Sequence, residues 1–259
     1  MITRADIQHW RNQVPWIAAD NVEQDLVLSR LIVEIANHSL LGKELVFRGG
    51  TCLHKIWLDR PWRYSEDLDY VRRTASGIGE VLDALREVAD SVGFERVRTD
   101  VRQHPKVRLL STFATGAPMR IKIEMNTFER SPIRSIVNRP YAVVSPWFTG
   151  SADIPTFMLE ELIATKIRAL YQRKKGRDLF DLWLAITQAG VRPRDIAECF
   201  EAYRPGGWTP ELALQNLSAK LDDPRFTEDL AALVPRRPEE YDTEVAAESA
   251  RNVIAQVSN

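Results

Sequence analysis

The stretch FRGGTCLHKIWLDRPWRYSEDLDYV, Phe47 to Val71, closes on two aspartates with one leucine between them. Side chains alternate along a strand, so Asp67 and Asp69 share a face, and Ser65 joins them if the strand begins that early. Leu68 and Tyr70 take the opposite face, toward a core. Two like charges held together on a rigid strand repel, and nothing obvious in the stretch neutralises them. A divalent metal would do so: Mg²⁺ uses hard oxygen ligands, with one or two carboxylates completed by substrate phosphates. The double glycine Gly49-Gly50 supplies a complementary feature. A Gly-Gly turn entering a helix lets backbone amides approach a phosphate, and a helix N-terminus favours negative charge. Metal on one side and amides on the other would hold a nucleoside triphosphate. Each signal is weak alone, since an Asp-x-Asp pair is often a solvated strand position and Gly-Gly only a turn. The strand–turn–helix arrangement ahead of the acids gives the combination its weight.

A two-metal clamp or a general base calls for a third carboxylate on a neighbouring strand. In MRIKIEMN, Met119 to Asn126, the apolar Ile121, Ile123 and Met125 alternate with Arg120, Lys122, Glu124 and Asn126. Glu124 is the acid of the polar set and shares its face with Lys122. The competing reading is a cross-strand ion pair on an exposed face. Further on, LEELIATKIRALYQRKKGRDLFDLW, Leu159 to Trp183, places Lys166 within the apolar stripe of a helix. Burying a charge is costly, so Lys166 either snorkels to the edge or reaches a cleft that holds phosphates or carboxylates. Arg173, Lys174, Lys175 and Arg177 extend a basic run that either complements a helix end or tracks an RNA backbone. Asp178 reads as a helix cap or as part of a site. Asp181, among Phe180, Leu182 and Trp183, is harder to place in solvent.

The elements that must position these residues divide by pattern. Helical periodicity covers Asn21–Leu41, Thr51–Leu58 and Gly77–Val92. Extended runs cover Glu44–Phe47, Asp67–Arg73, Glu95–Val101, Val107–Ala114, Met119–Asn126 and Tyr141–Ser145. From Thr156 onward the pattern is nearly all helical. The expected fold is therefore α+β: a mixed α/β domain over residues 1–150 and a helical domain over 151–259, joined through Pro146–Pro155. The chain has 259 residues, 44% hydrophobic and 27% charged, which suits a folded protein with a proper core. Its net charge of −1 means that any nucleic-acid binding must come from a local patch. Two distant cysteines fit a reducing cytosol, and no apolar run is long enough to span a membrane. A cytoplasmic protein is expected. The four histidines form no ligand cluster, which argues against a metal-dependent phosphohydrolase, and His54 reads as structural.

Taken together, Gly49-Gly50 with Ser65-x-Asp67-x-Asp69, the Lys122-x-Glu124 strand, Lys166 and the Arg177-Asp178-x-x-Asp181-Leu182 segment resemble the AbiEii-type nucleotidyltransferase toxins. That family includes the MenT toxins of mycobacteria and belongs to the DNA polymerase β-like nucleotidyltransferase superfamily. The resemblance covers roughly residues 44 to 190. It implies a nucleotidyltransferase-like mixed sheet with flanking helices. It also implies transfer of nucleotides from NTP to RNA, at the acceptor end of tRNA, with translation blocked and an antitoxin as protein partner. Asp67 and Asp69 would hold Mg²⁺. Arg48, Gly49, Gly50, Thr51, Ser65, Lys122 and Asp178 would surround the nucleotide. Lys166 would contact the triphosphate, Asp181 would orient it or a ribose hydroxyl, and Arg173, Lys174, Lys175 and Arg177 would track RNA. A phosphate added to Ser65 would repel NTP and compete for the metal. Glu124 departs from the superfamily's usual aspartate, which leaves its role as metal ligand or base open. The alternative is a pseudo-enzyme that uses the fold to bind RNA or a partner protein, although a pure binder has no need of paired strand carboxylates.

Overall fold

The structure, a computed structural model, describes residues 2–102 and 104–258. It contains two compact units. The first runs to Pro132 and includes Ile136–Phe157; the second comprises Ile133–Ser135 and the chain from Met158 onward.

The first unit is built on a seven-stranded mixed sheet. Its strands are β1 (Leu45–Arg48), β2 (Asp67–Arg72), β3 (Arg96–Asp100), β4 (Lys106–Thr112), β5 (Pro118–Asn126), β6 (Val137–Val144) and β7 (Thr149–Thr156), in spatial order β3-β4-β5-β2-β1-β7-β6. The β2–β5 and β1–β7 pairs are parallel and the others antiparallel. Helices α1 (Arg4–Arg11), α2 (Ala19–Asn37), α3 (Leu41–Glu44), α4 (Gly49–Cys52) and α5 (Gly79–Val92) complete it, with α4 continuing into a π-helical turn, Leu53–Trp57. Strict alternation sorts the sheet into two faces. Phe47, Leu68, Tyr70, Val107, Leu109, Ile121, Ile123 and Met125 are all buried. Each such side chain contributes ~1.5–3 kcal/mol of transfer free energy relative to exposure. Helices α2 and α5 pack on the sheet and on each other. Helix α5 stops where Gly93 takes a φ of 97°, a left-handed conformation open to glycine at little cost.

Helices α6 (Leu159–Gln172), α7 (Gly176–Thr187), α8 (Pro193–Phe200), α9 (Pro210–Leu221), α10 (Pro224–Thr227) and α11 (Thr243–Ile254) form the second unit. Pro193, Pro210 and Pro224 each open a helix, where the missing N–H would have had no intrahelical partner. Helix α6 packs on α7 and α8, and α11 on α7 and α8.

Several boundaries differ from the sequence reading. The segment Pro146–Pro155 is not a linker: most of it is β7, and the units divide at Phe157/Met158. Its composition hid it, because Pro155 and the polar TGSAD run read as a turn. The pairing tolerates Pro155 because β7 meets β1 only at Thr156. Strand β2 begins at Asp67, so Ser65 lies in the preceding loop rather than on the strand. The expected Asn21–Leu41 helix ends at Asn37, with α3 as a separate turn, and Gly49-Gly50 form the first turn of α4 rather than a loop before it.

Candidate active site

The polar face of β2 lies between two strands whose register decides what its acids meet. Asp67 is opposite Lys122 of β5, and Asp69 is opposite Glu124 of β5 on one side and Arg48 of β1 on the other. The Lys122 ammonium lies 2.9 Å from Asp67 Oδ2 and 3.2 Å from Glu124 Oε2. It supplies the positive charge that the Asp67–Val71 stretch lacks. Burial alone would lower the lysine's pKa, but hydrogen bonds and charge from Asp67 and Glu124 outweigh that and hold it above the usual lysine value. Glu124 is also 3.7 Å from Lys106, its antiparallel partner on β4. The cross-strand ion pair weighed from sequence is therefore present.

The glycines have a steric reason. Gly49 has a φ of +84°, and a Cβ there would sit 2.4 Å from Asp69 Oδ2; a Cβ on Gly50 would sit 2.1 Å from a guanidinium nitrogen of Arg63. The space freed by the two missing side chains is thus filled by the Asp69 carboxylate and the buried Arg63. Thr51 is buried, and its hydroxyl donates to the Asp67 carbonyl and lies in hydrogen-bond contact with Ser65 Oγ at 2.8 Å. It braces the loop against β2. Arg48 Nη1 donates to Glu129 at 3.0 Å, and Asn126 Nδ2 donates to the same carboxylate oxygen. His54 Nδ1 accepts from the Trp62 amide, consistent with a structural role. Sequence reasoning missed Arg63, Lys106 and Glu129. Only Arg63 left a trace, as a cation between Trp62 and Tyr64 near a glycine pair that implies a close neighbour.

Among the described residues no group of three or more His, Cys, Asp or Glu side chains forms a metal cage. Asp67 and Asp69 nonetheless fit magnesium chemically. They offer hard carboxylate oxygens on one strand face, and the ion completes its shell with water and phosphate rather than with an all-protein cage. Glu124 stands beside that pair on β5, opposite Asp69, and faces Lys122 and Lys106.

The second unit gathers its own charged cluster. Lys166 is buried on α6, with its ammonium 2.8 Å from Asp181 Oδ2 and 3.4 Å from Asp178 Oδ1, both on α7. The two aspartates are fully buried. Arg173 grips Asp178 with both arms of its guanidinium, at 2.7 and 2.8 Å. Burial pushes the Asp178 carboxyl up, but the Lys166 charge and the Arg173 fork outweigh it and hold it below the ordinary carboxylate value. Asp178 is not the cap of α7: Lys175 holds that position, and Asp178 lies within the first turn. The basic run is largely occupied within the unit. Besides Arg173, Lys174 pairs with Asp223 and Lys175 with Asp229, each at 3.3 Å, and the Arg177 amide donates to Asp229.

The profile of the family described as "Nucleotidyl transferase AbiEii toxin, Type IV TA system" matches residues 30–255. No curated protein matches the chain. Solved structures that resemble it include JHP933 from Helicobacter pylori, with a TM-score of 0.59 and 16% identity over 93% of this chain and 92% of that one. A putative nucleotidyltransferase from H. pylori has a TM-score of 0.58 and 17% identity over 92% and 95%. MenT4, a nucleotidyltransferase toxin from Mycobacterium tuberculosis, has a TM-score of 0.48 and 16% identity over the whole of both chains. At these identities the two H. pylori structures speak to the fold, and the family profile speaks to descent. The chain belongs to the AbiEii family of nucleotidyltransferase toxins of type IV toxin–antitoxin systems.

Proposed function

We propose that this chain transfers a nucleotide from an NTP to the 3′ end of an RNA, with the tRNA acceptor end as the target, and so blocks translation until an antitoxin protein neutralises it. The hydroxyl oxygen of the RNA end attacks the α-phosphorus. The bond to the β-bridging oxygen breaks, and pyrophosphate leaves. The observation that carries this reading is the pair Asp67 and Asp69 on one polar face of β2, in register with Lys122 and Glu124 on β5.

Asp67 and Asp69 are assigned to hold Mg²⁺. When bound, that ion would neutralise triphosphate charge and polarise the reacting phosphorus. Lys122 offsets the charge of Asp67 and of Glu124 beside it. Gly49 leaves room for the Asp69 carboxylate, and the first-turn amides of α4, which have no intrahelical acceptor, are offered to phosphate. In the second unit, Lys166 is assigned to a triphosphate oxygen, oriented by Asp181 and by Asp178, which Arg173 holds in turn. No described helix is long and apolar enough to cross a membrane, and the proposed place of action is the cytoplasm.

The test is incorporation of each labelled NTP into unfractionated tRNA, with and without Mg²⁺, by wild type, Asp67→Asn and Asp69→Asn. Wild type is expected to incorporate label only with the metal, and each variant to lose ~10²–10³-fold, as for removal of an electrostatic group acting on the transition state. Incorporation by folded Asp69→Asn at the wild-type rate would falsify the assignment. Tight RNA binding by wild type with no incorporation from any NTP would favour the pseudo-enzyme.

A further inference from the structure

The register of the outer strands aligns more than the acids. Arg98 of β3, Arg108 of β4, Lys122 of β5 and Asp67 of β2 lie in one cross-strand row, because each is the direct partner of the next. Arg96 and Arg120 flank that row through Leu110. Partners share a sheet face, so Arg96, Arg98, Arg108 and Arg120 project on the same side as the acid pair. All four arginines are exposed. None of them has an ion-pair partner among the described residues. Asp100, the acid on this face of β3, is held by Arg102 at 2.7 Å. The row from β3 to β2 spans about 14 Å at ~4.8 Å per strand.

We propose that this face of β3, β4 and β5 is the track on which the phosphate backbone of the acceptor RNA lies as its end reaches Asp67 and Asp69. The inference rests on the reading of the chain as an RNA nucleotidyltransferase and adds where the RNA runs. Guanidiniums suit the role because their planar fork matches phosphate oxygens two at a time. The protein's net charge is −1, so attraction to a polyanion has to be local, and here four exposed arginines stand outside any ion pair among the described residues, with Asp100, already held by Arg102 and also feeling the Arg108 charge, as the acid of β3 on this face. The basic run of the second unit is a poorer candidate, because Arg173, Lys174 and Lys175 already face carboxylates. Phosphate contacts would position the strand without reading its sequence.

The experiment measures affinity for fluorescently labelled unfractionated tRNA against salt for wild type, Arg98→Gln/Arg108→Gln and Lys174→Gln/Lys175→Gln. The arginine double variant should flatten the slope of log K against log salt by about 1.5, equivalent to two lost phosphate contacts, and weaken binding about 30-fold near 0.1 M salt. Its binding of Mg·NTP should be unchanged. Arg98→Lys/Arg108→Lys should recover most of the slope, which a fold defect would not allow. The lysine double variant should follow wild type. If wild type binds tRNA and the arginine double variant keeps the full slope, the track is overturned while the RNA reading stands. If wild type binds no tRNA at any salt, both fail. Binding of polyglutamate instead, lost in the arginine double variant, would overturn the track in favour of an acidic protein partner.

Discussion

Lys122 answers the Asp67 half of the question that Asp67 and Asp69 raise. One ammonium, opposite Asp67 in register and within 3.2 Å of Glu124, meets the charge of the neighbouring acids before any metal does. The identity of the acids and the shared face of Lys122 and Glu124 were legible in the sequence, because alternation on a strand is a local property. Met119–Asn126 was also offered as the strand beside the acids, but the register that sets Lys122 against Asp67 was not legible, since it depends on contacts far apart in the chain. The steric role of the glycines was hidden for the same reason. Gly49→Ala should cost ~1–2 kcal/mol for a β-carbon at positive φ and displace the Asp69 carboxylate. Chemical denaturation measures the first effect and nucleotide incorporation the second. A variant that is destabilised yet fully active would detach Gly49 from the site.

Elements set how costly each charge is to remove. Helices α6 and α7 hold Lys166, Asp178 and Asp181 out of water, whereas the lysines beyond α6 remain half exposed. Asp178→Ala should therefore destabilise the protein by ~2–3 kcal/mol, because it takes one of two carboxylates from the buried Lys166, leaving Asp181, and frees the half-exposed Arg173. Lys174→Ala/Lys175→Ala should stay within ~1 kcal/mol per surface pair. Comparable losses in urea titrations would contradict this ranking. The folded-state pKa of Asp178 is depressed, so its stabilisation is complete above the unfolded value near ~3.9 and disappears as pH falls through the folded value.

Lys220 of α9 gives the opposite profile. It is buried and donates to the Leu170 and Tyr171 carbonyls near the end of α6. Burial pushes its pKa down to about 8, with Asp178 opposing the shift. Between that value and the unfolded ~10.4 the unfolded chain binds more protons, so stability contributed by Lys220 rises with pH. Subtracting the stability of Lys220→Met from that of wild type across this window should reveal the rise, and a flat difference would contradict it. The helical character of this region was legible from its apolar stripe, and so was the inward placement of Lys166. The partners of the basic run were not, because Asp223 and Asp229 lie some fifty positions away on the chain.

For the whole molecule, the family match extends into both compact units, from residue 30 to 255. The α+β class was readable from the change in periodicity along the chain, and the mixed sheet from the family resemblance. Strand β7 escaped because its residues look like a turn and its place depends on β1 and β6. The central proposal is chemical: transfer of a nucleoside monophosphate to an RNA 3′ end. The most direct measurement is the intact mass of tRNA, and of its 3′-terminal fragment, after incubation with wild type or Asp69→Asn, Mg²⁺ and each NTP in turn. Wild type should add one or more whole nucleotide residues at the 3′ terminus, and Asp69→Asn should add none. An unchanged mass with every NTP, or addition of a phosphate alone, would contradict nucleotide transfer to tRNA.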